Sequence, residues 1–166
     1  DVLLIADDRD KAALQLQDAV RRSEQFVATH SDNATVAVQR LRLIERLLNV
    51  SDVLPGVQLP AIEASLAQQS REIAERASQR ADQFYDFSRA FEEILTTQLP
   101  RDDSAAELRF LASLIQMCQR RLEVVPRDAA ALRRLANALS QSASIALYNG
   151  EALETVLQQL SASRDQ

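Results

Sequence analysis

Residues 104–125 read SAAELRFLASLIQMCQRRLEVV, with apolar side chains at Leu108, Leu111, Ile115, Cys118, Leu122 and Val125. The steps between them run three, four, three, four, three. A strand would need a period of two; steps averaging 3.5 put all six positions on one helical stripe, the seam along which helices pack in bundles. Similar stripes occur on either side. Upstream, Leu66, Ile73, Ala77, Phe84, Phe87, Phe91 and Ile94 share a face, as do Val2, Ala6, Ala13, Leu16, Val20 and Val27. Downstream, Leu132, Leu135, Leu139, Ala146, Leu153, Val156 and Leu160 form another. No run alternates apolar with polar over a strand's length.

Composition agrees with this period. Of 166 residues, 26 are Ala, 24 Leu and 16 Gln, mostly strong helix formers, while aromatic residues make up only 4%. A chain of this size buries roughly 70% of its unfolded surface, enough for one core without staples. The expected fold is all-α: a single domain over 1–166, built as an elongated antiparallel up-and-down bundle of five to six helices.

Punctuation places the helices. The first is predicted from about Val2 to Thr29, ended by the polar run His30-Ser31-Asp32-Asn33. Asp32 or Asn33 caps a second helix that reaches about Val50. Pro60 suits the first turn of a third, where its missing N–H has no helical partner to lose. That helix is predicted as one long element over about 61–98, roughly 58 Å at 1.5 Å per residue. Asp102, Asp103 or Ser104 caps a fourth, ending near Val125, and Asp128 caps a fifth. Asn149-Gly150 is a strong helix stop, but the seam continues past it and favours a helix running to about Ala162.

Several chemistries are excluded by counts. One cysteine and one histidine cannot form a Cys/His zinc site or a disulfide, and two glycines cannot build a dinucleotide or phosphate loop. A net charge of -5 argues against a nucleic-acid partner, whose affinity comes from neutralised phosphates. No apolar run approaches the ~18 residues of a membrane span. The acidic groups at Asp7, Asp8, Asp102 and Asp103 sit near helix starts, where the helix dipole explains them. No metal or cofactor is expected. Without a histidine on a helix, no nucleophile–base pair can be drawn, and no enzyme activity is expected.

The informative departures are polar residues on apolar seams: Arg9, Ser23, Ser70, Arg80, Ser142 and Asn149. A guanidinium facing a bundle interior must be paired, which makes Arg80 and Arg9 candidate anchors for a carboxylate ligand. Alternatively, helix drift places Ala81 on the seam and turns Arg80 outward over its own stem. Tyr85 lies beside Phe84 and Phe87 and offers a hydroxyl to orient a small ligand; three phenylalanines at helical spacing equally describe core. Arg80, Arg9, Asn149 and Tyr85 are therefore the candidate ligand-binding residues. Helix 2 spreads its apolar residues over more than one stripe, so Leu41, Leu43 and Leu47 are candidate interface residues unless that helix is buried on two sides.

An Ala/Leu/Gln-rich bundle with one helix much longer than its neighbours resembles the extracytoplasmic helical sensor domains of bacterial chemoreceptors and histidine kinases. The resemblance is of architecture and transfers no ligand residue. It implies a homodimer or a protein partner, a small polar or anionic ligand, signalling by helix displacement, and membrane attachment only through flanking segments. The chain begins at Asp1 and is expected to be cut from something longer, extracytoplasmic if from such a receptor and otherwise cytoplasmic. The competing expectation is a helical protein–protein interaction module without a small-molecule site.

Overall fold

The computed structural model describes residues 2–29, 33–49, 59–99 and 103–150. Among them are six α-helices: α1 (Val2–Thr29), α2 (Ala34–Asn49), α3 (Leu59–Gln79), α4 (Ala81–Glu93), α5 (Ser104–Val124) and α6 (Ala129–Tyr148). One π-helical turn (Ile94–Gln98) follows α4, and no described residue is in a strand. The all-α helical-bundle class read from the seams is the class the chain adopts. No described helix is long and apolar enough to cross a membrane. The chain divides into two compact units, Asp1–Ile73 and Ala74–Gln166, and the division falls within α3.

Side-chain caps start three of the helices. Asn33 Oδ1 accepts from the Val36 N–H at 3.2 Å, Asp103 Oδ1 from Ala106 at 2.9 Å, and Asp128 Oδ1 from Ala130 and Ala131 at 3.0 and 3.1 Å. Each carboxylate or amide oxygen satisfies N–H groups that have no partner inside their own helix. His30, Asp32, Asp102, the 51–58 connection and 151–166 lie outside the described residues.

In the first unit, α2 packs against α1. Its buried positions Ala34, Ala37, Val38, Leu41, Ile44 and Leu47 follow the helical period. Ile44, Leu47 and Ile62 form a cluster against which Leu16, Val20, Leu48 and Leu66 pack. The second unit is centred on four phenylalanines. Phe84, Phe87 and Phe91 of α4 are buried, as is Phe110 of α5, whose ring meets Phe91 edge to face at 6.1 Å. A four-residue turn at Val125–Asp128 folds α6 back along α5, its inner face carrying Ala131, Ala138 and Ala146.

Three local features depart from the sequence reading or add to it. The element expected over 61–98 is interrupted at Arg80, which is extended (φ -132°, ψ 139°), so α3 and α4 are separate helices. The Ser78 hydroxyl donates to the Glu75 carbonyl at 2.8 Å near the end of α3, and the Asp82 carboxylate favours the start of α4. Next, α4 widens into the π turn, where the Leu99 N–H reaches back to the Ile94 carbonyl at 3.2 Å. The hydroxyls of Thr96 and Thr97 there donate to the Glu92 and Glu93 carbonyls, competing with the α-helical ladder just ahead of Pro100. Finally, the last seam does not continue as one helix. α6 ends at Tyr148, Asn149 forms its C-cap, and Gly150 takes φ +83°, a left-handed conformation that closes the helix.

Candidate functional site

The four candidate ligand residues are not drawn into one pocket. Arg80 is exposed and engaged by its neighbour, donating from Nε to Asp82 Oδ1 at 3.1 Å and from Nη2 to Oδ2 at 2.5 Å. That hydrogen-bonded guanidinium holds the Asp82 carboxyl below its ordinary range. Arg80 thus stands at a helix junction and faces solvent because the helix breaks there; Ala81, which the drift reading put on the seam, is exposed as well. Tyr85 is 56% exposed, with the Arg134 guanidinium carbon 5.8 Å from its ring centre and 6.0 Å from that of Phe84. Arg134 also donates to Glu92 at 3.0 Å, which ties α6 to α4. Asn149 sits at the far end of α6, fifteen residues or ~22 Å beyond Arg134, so it cannot share a small ligand with Tyr85. Arg9 is in α1, and its side chain lies outside the described residues.

The α2 candidates divide. Leu41 and Leu47 are core residues of the first unit, only the edge of Leu47 reaching the surface; Leu43 is half-buried. Helix 2 therefore spends its main apolar stripe inside the unit, because α1 and the start of α3 cover it.

Two surfaces remain as candidate sites. One is a groove of about 490 Å³ along α1 in the first unit, where apolar Leu14, Val20 and Leu47 meet charged Asp18, Arg21 and Glu24. Asp18 accepts from Arg21 Nη2 and pairs with Arg22 Nε, each at 2.6 Å, and the Arg21 bond leads in holding its carboxyl below the ordinary range. Arg40 of α2 reaches Glu24 at 3.5 Å.

The other is the outer face of α6. Leu132 and Leu147 are 49% and 44% exposed there, Ala136 is exposed, and Leu139 and Ala143 are half-buried between them. No charged residue occurs from Leu135 to Gly150, although half of that stretch is surface. Soluble helix surfaces ordinarily carry about a quarter to a third charged residues, so an uncharged stretch of about four turns departs from an ordinary solvated face.

Several buried polar side chains stood outside the sequence reading, Glu45, Gln69, Ser78, Ser88 and Arg121 among them, and Arg121 joins the most elements. Arg121 of α5, only 6% exposed, donates from Nε to Asp128 Oδ2 at 2.8 Å and from Nη1 to the Ser78 carbonyl at 2.9 Å. Ser78 lies in the last turn of α3, whose carbonyls lose their helical partners at the Arg80 break. One guanidinium therefore satisfies the end of α3 and the capping residue of α6 together. Burial draws the Asp128 carboxyl upward, but the Arg121 bond and the N–H groups of Ala131 and Ala130 outweigh it and hold the group below its ordinary range. Burial pushes the Cys118 thiol up to about 12, leaving a neutral core residue rather than a thiolate nucleophile. Among the described residues, no three His, Cys, Asp or Glu side chains gather closely enough to hold a metal ion. Compared with models of known protein families, with curated proteins and with solved structures, the chain matches none.

Proposed function

We propose that this chain is a non-enzymatic helical module that acts by protein–protein contact through the outer face of α6. The observation that carries this reading is the stripe Leu132–Ala136–Leu139–Ala143–Leu147, exposed at Leu132, Ala136 and Leu147 and half-buried between them, on a helix without charge from Leu135 to its end. A helix that packs on one neighbour needs an apolar arc of about 100°. The apolar arc of α6 is wider, its inner part buried and its outer part open to solvent. The doubly substituted Leu132→Glu, Leu147→Glu chain should keep its helicity and thermal midpoint while binding less of a hydrophobic dye. A collapse of the midpoint would show that the face belongs to the core, and the reading would be lost.

A second reading, ligand sensing as the extracytoplasmic part of a transmembrane receptor, draws support from the groove in the first unit. Its size is in the range of small-molecule sites, and its mixture of carboxylates, a guanidinium and apolar wall suits a small polar ligand. In this reading Arg21, rather than Arg80, is the side chain that meets a ligand carboxylate.

A further inference from the structure

We infer that the turn between α5 and α6 is a further contact surface and that it takes an acidic, apolar segment of another protein. The inference goes beyond the α6 reading and does not depend on it; its ground is what gathers between Arg120 and Arg134. Of the large apolar side chains exposed among the described residues, Val124, Val125 and Leu132 fall within nine positions, at 48%, 37% and 49%, with the exposed Pro126 between them. The Asp128 N–H donates to the Val125 carbonyl at 3.0 Å, and the Leu132 N–H to the Asp128 carbonyl at 2.9 Å, which hold this stretch as one closed corner. Apolar residues exposed singly are ordinary; several on one corner make a patch that needs an occupant.

Charge decides which occupant. Residues 120–134 hold five arginines against two carboxylates, in a chain whose net charge is -5. Both carboxylates are engaged, Glu123 by Arg120 and Asp128 by the buried Arg121, and Arg134 is held by Glu92. Arg127 and Arg133 are exposed and meet no carboxylate among the described residues. Each directly follows an exposed apolar residue, Pro126 and Leu132. An apolar patch edged by two uncommitted guanidinium groups is complemented by apolar side chains edged with carboxylates, which such groups hold in charge-assisted pairs. A second copy of the same corner would instead set arginine against arginine. Attachment to an anionic bilayer is the work of clusters of about four to eight basic residues, more than this corner offers.

The test uses the full chain and a phage-displayed library of random peptides. Peptides selected on the natural chain should be enriched in Asp and Glu set beside Leu, Ile or Phe. By fluorescence anisotropy, a selected peptide should bind the Arg127→Glu, Arg133→Glu chain about tenfold more weakly. It should bind the Val124→Ser, Val125→Ser chain severalfold more weakly, with helicity and thermal midpoint unchanged in both variants. Its affinity for the natural chain should fall severalfold as ionic strength rises from about 0.05 to 0.5 M, because exposed charge pairs are screened. Selected peptides no more acidic than the library overturn the inference, as do acidic peptides that bind the arginine variant as tightly as the natural chain. Pelleting with phosphatidylserine vesicles, or self-association in sedimentation, that the arginine variant loses overturns it too and assigns the corner to a bilayer or a second copy. None of these outcomes moves the α6 reading, which the Leu132→Glu, Leu147→Glu chain decides.

Discussion

Arg121 shows how one residue on an apolar face can govern a fold through partners that its own helix does not reveal. The helical period sets it in line with the buried Phe110, Leu114 and Met117, where an arginine is unexpected, while Arg120 beside it turns outward and bridges Glu75 and Glu123. Arg121 is buried because two acceptors await it, Asp128 and the Ser78 carbonyl, and the second exists only because α3 stops there. Arg121→Met should therefore destabilise the chain by about 3 kcal/mol in urea unfolding at pH 7, since removing one partner leaves the other buried and unpaired. A loss under ~1 kcal/mol would mean that water replaces the guanidinium without strain. The pair also sets an acid response. The folded-state pKa of Asp128 is depressed, so its contribution is fully present above the ordinary carboxyl value of 3.8 and is lost as pH falls through the folded value. The gap in stability between the natural chain and Arg121→Met should accordingly be constant from pH 7 to about 5 and shrink below pH 4. A gap that persists undiminished at pH 2 would assign the stabilisation to the Ser78 carbonyl alone.

At the scale of the helix, starts were easier to read than interruptions. Asn33, Asp103 and Asp128 are short acceptors placed just ahead of an apolar period, and all three cap. The break at Arg80 carries no such mark. Ala77 and Phe84 are seven residues apart, one heptad, so the seam reads straight through a position where the backbone is extended. No proline or glycine stands there; the break depends on tertiary satisfaction of the freed carbonyl by Arg121, which a one-dimensional pattern does not contain. At Asn149-Gly150 the reverse holds. The local signal for a stop was present, the longer seam outweighed it, and the local signal proved right because glycine reaches the left-handed region without strain. A methyl group at Gly150 would meet no atom within 4 Å, so Gly150→Ala tests conformation alone. It should cost about 1 kcal/mol, and Gly150→Asn, which tolerates that region better, should cost less. Equal stability of all three chains would show that the turn contributes nothing to the end of α6.

For the whole molecule, class was legible and use was not. The seams specify helices because burying an apolar stripe is a demand each segment makes on its own. A ligand site depends on which segments meet, and the residues that looked like anchors, Arg80, Tyr85 and Asn149, were drawn to a neighbour, a cation and a helix end. What the structure adds is two surfaces of opposite character, and they respond differently to salt. The α6 face is uncharged, while each chain carries a net charge of -5. Salt weakens charge pairs and leaves apolar contact nearly untouched, so a contact made by that face should change by less than a factor of about three as ionic strength rises from about 0.05 to 0.5 M. The groove works through Asp18, Arg21 and Glu24. A small carboxylate ligand held there by Arg21 should raise the thermal midpoint saturably, because it binds the folded chain alone, and its affinity should fall severalfold over the same salt range. Arg21→Ala should abolish that rise with helicity unchanged. Thermal-shift titrations with amino acids and organic acids at both salt concentrations, set beside hydrophobic-dye binding by the Leu132→Glu, Leu147→Glu chain, separate the two readings. A midpoint that no ligand moves at low salt, with dye binding reduced in the double variant, leaves protein contact as the reading that stands. A salt-sensitive ligand shift, with dye binding unchanged in the double variant, returns the function to sensing through the first unit.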